Sequence, residues 1–311
     1  MTKLVSLGMK RKSLRRRLIA PRHCCLYDPN LCAATINFVS EIFDSTLRKG
    51  ELVLVDFSQL QEMTAGAALF TFGNISAVQI LTKSLHSIEM VLPKDHDARR
   101  MMIGTGLWRA LKTGPAVSSL WDSPSEYLSG SNPAGDYKRT LNRLENTQGG
   151  LPESVSRAIN EAILNVSHHA YEFLGEEDPL TASLGKRWWQ NHIWTEDGLS
   201  FLIYDRGMSI PRTIQHKAFG ASPVNLLKMA MTAGVSRLKD NVGRGIGSED
   251  IKRPVHEQVA SLILISGGAR FEMSKANQIE GFSAMPRPFP GTLIEWHHKL
   301  SPFTANLAEP I

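Results

Sequence analysis

The sequence predicts an α/β protein of two domains, and three observations support this prediction. A chain of 311 residues is long enough for two domains of ordinary size. In the first hundred residues, apolar runs typical of strands alternate with stretches typical of helices, as in α/β layers. In the second half, a strongly amphipathic helix over residues 151–173 precedes a β-hairpin pattern and two further strand-like runs.

Composition indicates an ordinary folded protein, since 42% of the residues are hydrophobic. The sequence has no run of 18 apolar residues, and its N-terminus lacks the apolar core of a signal peptide, so we expect a cytoplasmic protein without membrane contact. The cysteines Cys24, Cys25 and Cys32 match neither a disulfide framework nor metal-ligand spacing. We expect them to be small strand or core residues.

The net charge of +5 is concentrated in the run from Lys10 to Arg17. We favour a solvated basic arm over residues 1–17, because no aromatic or hydrogen-bonding side chains are interleaved with the charges to read bases. Contact with nucleic acid or with an acidic partner is the alternative.

The elements of the first domain follow from hydrophobic periodicity. After an extended segment that starts at Leu18, we predict a helix from Pro29 to Leu47, a strand within residues 51–60, a helix from Ala65 to Leu81, a strand within residues 87–93, and a helix from Asp97 to Leu111. The near-continuous apolar run of residues 51–60 is typical of a strand buried on both faces.

The central strand of this layer, Leu52 to Ser58, leads to Met63-Thr64-Ala65-Gly66 at the start of a helix. This pattern resembles the STAS-type fold of anti-sigma-factor antagonists, and we assign residues 18–117 to a STAS-like α/β domain. The resemblance places Thr64 where the family has a phosphorylatable serine, but Met63 replaces the family's acidic residue. A docking or dimerisation domain without chemistry is our favoured interpretation.

Residues 118–150 are rich in Ser, Pro, Gly, Asn and Asp and show no sustained period. We predict a linker here, with a short helix over Asp136 to Leu144.

The helix of residues 151–173 has a buried face and a polar stripe. Its apolar residues fall three and four apart: Val155, Ala158, Ile159, Ala162, Ile163, Val166 and Ala170. The polar stripe contains Glu161, Asn165 and His168. A carboxylate can activate a nucleophile, and an adjacent oxygen ligand suits Mg²⁺. Taken alone, the stripe is more typical of a solvated face.

Two strands, Trp188 to Trp194 and Leu199 to Tyr204, are predicted to form a hairpin through Glu196-Asp197-Gly198. The second strand is followed by Asp205 and, two residues later, Gly207. A carboxylate beside a glycine suits recognition of a ring amine, because the acid accepts a hydrogen bond and the missing Cβ leaves room for a flat ring. An ordinary turn is the alternative.

Alternating glycines then lead into a helix. The run Gly243-Arg244-Gly245-Ile246-Gly247 exposes successive backbone N–H groups and predicts an anion cradle. It follows a helix-like stretch, residues 212–242, and lacks the strand that precedes a Rossmann fingerprint. Strands over Ser261 to Ser266 and Leu293 to His298, the latter preceded by Thr292, complete the domain.

Four motifs occur in this order: Glu161 and Asn165 four apart on a helix, Asp205-x-Gly207 after a strand, the glycine run of residues 243–247, and Gly291-Thr292 before the last strand. In this order they resemble the Bergerat-fold ATPases of the GHKL group, which includes gyrase, Hsp90, sensor histidine kinases and MutL. The local sequence NEAILNVSHHAYE is most similar to the anti-sigma-factor serine kinases. The resemblance implies an α+β sandwich that binds ATP and Mg²⁺ over residues 151–301, followed by a tail of residues 302–311.

The resemblance also implies a role for each residue at the phosphate end of the nucleotide. Asn165 should ligate Mg²⁺, and Glu161 should be the base that activates the nucleophile. Gly243, Arg244, Gly245, Ile246 and Gly247 should wrap the phosphates. His168 is either a phosphate contact or a surface histidine.

At the adenine end, Asp205 should accept from the adenine amine, Gly207 should give the base room, and Thr292 should support the same edge. Residues 212–242 should form the lid over ATP. Ser209 replaces the second glycine usual in this motif, so the hinging of the lid and the affinity for nucleotide are expected to differ from the family's.

We therefore expect a Mg-ATP-binding regulatory protein that uses ATP hydrolysis or Ser/Thr phosphotransfer to control a partner protein. A dimerising helical hairpin with a phosphoacceptor histidine is missing upstream, which disfavours a histidine autokinase. The alternative is a non-enzymatic ATP-dependent switch or scaffold in bacterial stress or defence signalling. The sequence does not name the partner, and homodimers are frequent among the families that it resembles.

Overall fold

The first half of the chain is built on a small parallel sheet. The computed structural model describes residues 15–148, 151–172, 178–195, 198–232 and 247–299. Strands β1 (Arg16–Ile19), β3 (Val53–Asp56) and β5 (Ile88–Val91) form this sheet in the order β1-β3-β5. A shorter parallel ladder joins β2 (His23–Cys24) to β4 (Glu62–Met63). The helices are α1 (Pro29–Phe43), which continues as a π-helix (Asp44–Arg48), α2 (Ala65–Thr82), α3 (His96–Gly104) and α4 (Leu107–Leu111).

Helices cover one face of this sheet. Val53 and Val55 of β3 are fully buried against them, whereas Leu54 between them is only half-buried. On the face of Leu54, Ile19 is 48% exposed and Val91 38%. Successive side chains of a strand point to opposite faces. The expectation that this strand is buried on both faces is therefore wrong.

The last residues of the expected basic arm are part of the sheet. Three arginines form ion pairs with acidic residues of the first half: Arg15 with Glu89, Arg16 with Glu41 and Glu51, and Arg17 with Asp56. Their charges are neutralised within the fold, which disfavours these three as a nucleic-acid contact. Residues 1–14 lie outside the described residues.

The helix that we expected from Asp97 to Leu111 is two helices. Gly106, between α3 and α4, has φ +76°, a left-handed conformation that a helix cannot continue through and that glycine adopts easily. Amphipathic periodicity persists across the break, so the pattern alone did not reveal it.

Residues 118–148 are folded and are not the linker that we expected, and residues 149–150 of that stretch lie outside the described residues. The stretch contributes the end of a 3-10 helix (Gly114–Asp122), strand β6 (Tyr127–Gly130) and helix α5 (Pro133–Gln148), longer than the short helix expected over Asp136 to Leu144. All four residues of β6 are buried. A four-residue strand that is buried on both faces shows no alternation of polar and apolar residues, so the sequence gives no periodic signal that distinguishes it from a loop.

The second half is built on a five-stranded antiparallel sheet. Strand β6 is followed by β7 (Trp188–Thr195), β8 (Gly198–Asp205), β9 (Ala260–Met273) and β10 (Glu280–Lys299), and the order in the sheet is β6-β7-β8-β10-β9. The predicted β7–β8 hairpin is confirmed by antiparallel pairing, although residues 196–197 of its turn lie outside the described residues. The helices are α6 (Glu153–Asn165), continuing as a π-helix (Val166–Ala170), α7 (Pro179–Ala182), α8 (Ile210–Ile214), a 3-10 helix (Gln215–Lys217), α9 (Pro223–Met231) and α10 (Gly247–His256).

Strand β10 begins much earlier than the predicted Leu293. Between Ala284 and Thr292 its register with β9 shifts twice, across the segment that contains Pro286, Pro288 and Pro290. Proline has no N–H for the ladder, so irregular pairing is expected there. From Thr292 onward β10 pairs regularly with both neighbours.

The five-stranded sheet lies between two apolar cores. One face packs on α6, α9 and α10, through residues such as Ile203, and includes the predicted apolar face of α6. The opposite face packs on the first half, through residues such as Trp189 and Tyr204, which share a core with α1 and α2. The two halves of the described chain are therefore joined by a continuous apolar core.

Helix α2 is the one described helix that is long and apolar enough to span a membrane by length and composition. However, 78% of its 18 residues are buried inside the structure. It is the central helix of the first core, where Phe70 and Phe72 are fully buried.

Candidate functional site

Helix α6 brings together three of the residues predicted for the phosphate end. Its buried face holds the helix on the sheet, which turns Glu161 and Asn165 to a half-buried side. The two side chains are hydrogen-bonded to each other. Gly247, the first residue of α10, lies against Glu161, and a Cβ at this glycine would overlap Glu161 Oε1. The N-terminus of α10 therefore approaches the carboxylate.

The environment of Glu161 favours its protonated form. Burial raises the pKa of its carboxyl, the negative charge of Asp250 raises it further, and the hydrogen bond with Asn165 opposes both effects. Asp250 lies one turn into α10 and is ion-paired with Arg253 at 2.9 Å. We did not predict Asp250, although its position three residues after Gly247 puts both on one side of the helix.

Asp205 ends strand β8 and lies opposite Thr292 of β10. Its carboxylate accepts hydrogen bonds from the backbone N–H of Gly207 at 2.8 Å and from that of Thr292. The side chain is almost completely buried, and this burial raises its pKa to about 7 against the two hydrogen bonds, which lower it. A carboxylate has room for more than two donors, so Asp205 can still accept from a ligand.

Ser266 of β9, beside the register shift with β10, was not predicted as a site residue. Its hydroxyl lies 2.9 Å from the hydroxyl of Thr292 and accepts from the N–H of Ile210 at 2.8 Å. It therefore links Thr292 to the start of α8. Only the pairing of β9 with β10 brings these residues together, and no local pattern predicts it.

The π-helix that continues α6 connects the Glu161–Asn165 pair to the turn after Asp205. The carbonyl of Ala170, in the π-helix, accepts from the N–H of Met208 at 2.5 Å. A Cβ at Gly207 would overlap this carbonyl. The sequence suggested that Gly207 leaves room for a base. The structure gives a different reason for a glycine here, which is that the turn after Asp205 packs directly on the helix. Tyr171, also missed, accepts from the N–H of Arg206 at 3.2 Å.

The remaining predicted residues are less informative. His168 is exposed and lies beside His169, with ring centroids 6.0 Å apart. Gly243, Arg244, Gly245 and Ile246 lie outside the described residues, as does the part of the expected lid after Thr232. The hydroxyl of Thr64 is buried and has no hydrogen-bond partner in the described part of the chain.

Two sets of oxygen ligands lie near opposite ends of the segment that runs from Glu161 to Ala170. From Glu161 to Ala170 the helix advances by roughly 13 Å, at 1.5 Å per residue. At one end Asp205 offers a buried acceptor, and at the other Glu161 and Asn165 offer oxygen ligands below a helix N-terminus. The described residues contain no cluster of three or more His, Cys, Asp or Glu side chains that could hold a metal ion.

A scan of the chain against protein-family models finds no match, and a search of curated proteins finds no significantly similar sequence. The function is therefore argued from the site itself.

Proposed function

We propose that the second half of the chain is a Bergerat-fold domain that binds ATP with Mg²⁺, and that the first half is a STAS-like regulatory domain. The observation that carries this proposal is the path of one helix. It holds Glu161 and Asn165 against Gly247 and ends against the turn that follows Asp205.

The described residues at the two ends of the site have different roles in this proposal. Asp205 accepts from the amine of the base, and Thr292, held by Ser266, fixes the same edge. The N-terminus of α10 faces the phosphates, where backbone N–H groups and the helix dipole favour anions. Mg²⁺, when bound through Asn165, would neutralise charge on the phosphates.

Glu161 accepts the proton of the attacking nucleophile. Its raised pKa makes it a stronger base than an exposed glutamate, and its hydrogen bond with Asn165 orients it. If the nucleophile is water, the protein is an ATPase; if it is a hydroxyl of a partner protein, the protein is a Ser/Thr kinase.

The test is nucleotide binding and phosphate release by the full chain with Mg²⁺. We expect Asp205→Asn to abolish binding, and Glu161→Gln to retain binding and stop turnover. Glu153→Gln is the matched control, because Glu153 is an exposed residue of the same helix, paired only with Arg157 among the described residues. Absence of nucleotide binding by the wild-type protein would overturn the proposal.

A non-enzymatic switch is the second candidate, and the packing of Glu161 favours it. The carboxylate lies against α10 and near Asp250, which leaves little space for a nucleophile. In this candidate ATP acts as a ligand that changes the partner surface. Tight binding without phosphate release, unchanged by Glu161→Gln, would support the switch over the enzyme.

A further inference from the structure

Arg206 lies between Asp205 and Gly207 in the chain, yet its side chain enters the first half of the protein. Neighbouring residues at the end of a strand point to opposite faces of the sheet. Asp205 therefore belongs to the proposed nucleotide site, while the guanidinium of Arg206 is buried on the far side of the sheet, with the residue only 7% exposed.

The guanidinium has well-defined neutral partners there. It stacks on the ring of Phe43, the last residue of α1, with its carbon 3.3 Å from the ring centroid. One of its N–H groups donates to Asn74 Oδ1 in the middle of α2. Asn74 in turn donates to the hydroxyl of Tyr204 at 3.3 Å and to the carbonyl of Phe70 at 2.8 Å. Helix α2 thus holds Asn74 in place for Arg206.

Burying a cation among neutral groups is energetically unfavourable. Within the described residues Arg206 forms no ion pair, and its Nε has no hydrogen-bond partner. An apolar side chain of similar size would pack at lower cost, because desolvating a charge is unfavourable unless an opposite charge compensates it. Packing alone therefore does not explain an arginine here.

The backbone of Arg206 is fixed from the second half. Its N–H donates to the hydroxyl of Tyr171, which donates to the carbonyl of Arg187 at 2.6 Å. The side chain of Arg206 and its peptide group are thus held by different halves of the protein. Movement of α2 or of the end of α1 would be transmitted directly to the turn that carries Asp205.

We propose that Arg206 is a positioning residue, through which Phe43 and Asn74 set the geometry of the Asp205 turn and thereby the affinity for adenine nucleotide. This inference rests on the proposed function and adds its regulation: the first half tunes nucleotide binding from behind the sheet. By linkage, bound nucleotide in turn stabilises the end of α1 and the middle of α2.

The test compares substitutions outside the nucleotide site by their dissociation constants for ADP and ATP with Mg²⁺. Phe43→Leu and Asn74→Ala are expected to weaken binding about fivefold or more. Asn74→Asp keeps an acceptor for Arg206 and is expected to restore affinity. Ser76→Ala is the control, because Ser76 lies on the same buried helix but accepts from Trp189 Nε1, at 3.0 Å. It is expected to leave binding unchanged.

A double-mutant cycle separates positioning from general destabilisation. If Asn74 acts through Arg206, Arg206→Met combined with Asn74→Ala weakens nucleotide binding no more than Arg206→Met alone. Additive losses, or a loss with Ser76→Ala equal to that with Asn74→Ala, would overturn the inference. Denaturant midpoints of every variant identify losses caused by unfolding.

Hydrogen exchange of the wild-type protein provides a measurement that needs no variant. With Mg²⁺ and nucleotide bound, amide exchange is expected to slow over residues 43–48 and 65–82. Binding without slower exchange in these segments and without an effect of Asn74→Ala overturns the coupling alone. If the wild-type protein binds no nucleotide, the proposed function fails, and this inference fails with it.

Discussion

Gly247 packs its backbone against the carboxylate of Glu161, so closely that a Cβ on this glycine would overlap Glu161 Oε1. The two residues come from helices α10 and α6, which share the core below the sheet. The position of the proposed base thus depends on a glycine 86 residues away in the sequence.

Substitution Gly247→Ala should displace Glu161 or shift the start of α10. The overlapped atom is the end of a flexible side chain, so we expect a destabilisation at the lower end of the roughly 1 to 3 kcal/mol that is typical of overpacking. We expect phosphate release to be lost even where folding persists, which steady-state assays and urea denaturation can measure together. Gly104→Ala is the control, because a Cβ at Gly104 has no atom within 4 Å, and it should be neutral. Full turnover by Gly247→Ala would contradict the proposed role of Glu161.

Asp205 should make the stability of the protein depend on pH. Burial raises its folded pKa to about 7 from the ordinary value of 3.8. Between about pH 4 and pH 7 the folded state therefore binds more protons than the unfolded state, and the free energy of unfolding falls as pH rises. Asp205→Asn removes this ionisation.

We expect Asp205→Asn to raise the free energy of unfolding at pH 8 by about 2 to 4 kcal/mol while it abolishes nucleotide binding. Urea denaturation at pH 5 and pH 8 measures the first effect, and the gain should shrink at pH 5. Asp122→Asn, at an exposed aspartate paired with Arg139, is the control and should change little. If Asp205→Asn lowers the free energy of unfolding at pH 8, the buried carboxylate of Asp205 does not destabilise the fold.

Much of the fold was predictable because burial imposes a period on the sequence. The face of α6 around Val155 and Ile159, the span of α2, and Asp205 at a strand end all follow from local patterns, and the structure has them as expected. Strand β6 was missed because a four-residue strand buried on both faces shows no alternation.

The parts of the site that were missed depend on long-range pairing. Ser266 meets Thr292 only through the register of β9 with β10, and Arg206 meets Asn74 only because α2 packs behind the sheet. The resemblance supplied residue types for the site. It could not supply the contacts that position them, since those come from the fold of this chain.

The departure at Ser209 has a structural counterpart in Gly267. This glycine has φ +55°, and a Cβ on it would lie 2.6 Å from Ser209 Oγ. The hydroxyl of Ser209 thus occupies the space that a side chain at position 267 would need. Gly267→Ala should cost more than the roughly 1–2 kcal/mol of left-handed strain, because the contact adds to it.

A double-mutant cycle can separate the two contributions. In the background of Ser209→Gly, Gly267→Ala should be less destabilising, since only the backbone strain remains. Denaturation of the four proteins measures the interaction. Equal costs of Gly267→Ala in both backgrounds would show that Ser209 and Gly267 do not compensate for each other.

Arg143 should be among the most important residues of the stretch that we expected to be a linker. Its guanidinium donates to four backbone carbonyls, those of Leu120, Trp121, Ser123 and Ser125, at 2.6 to 3.2 Å. Arg143→Met would remove a charged donor from all four carbonyls, although those of Leu120 and Ser123 keep a second donor. We expect a loss on the order of 3 kcal/mol in the free energy of unfolding.

Arg139→Met, one turn earlier on α5, is the matched control for this prediction. Arg139 is exposed, stacks over Trp121 and pairs with Asp122 at 3.1 Å, so its removal should cost less than about 1 kcal/mol. Urea denaturation of both variants gives the comparison. If residues 118–150 were a linker, the two substitutions would be equally mild, whereas a large loss confined to Arg143→Met would show that this stretch is part of the cooperative fold.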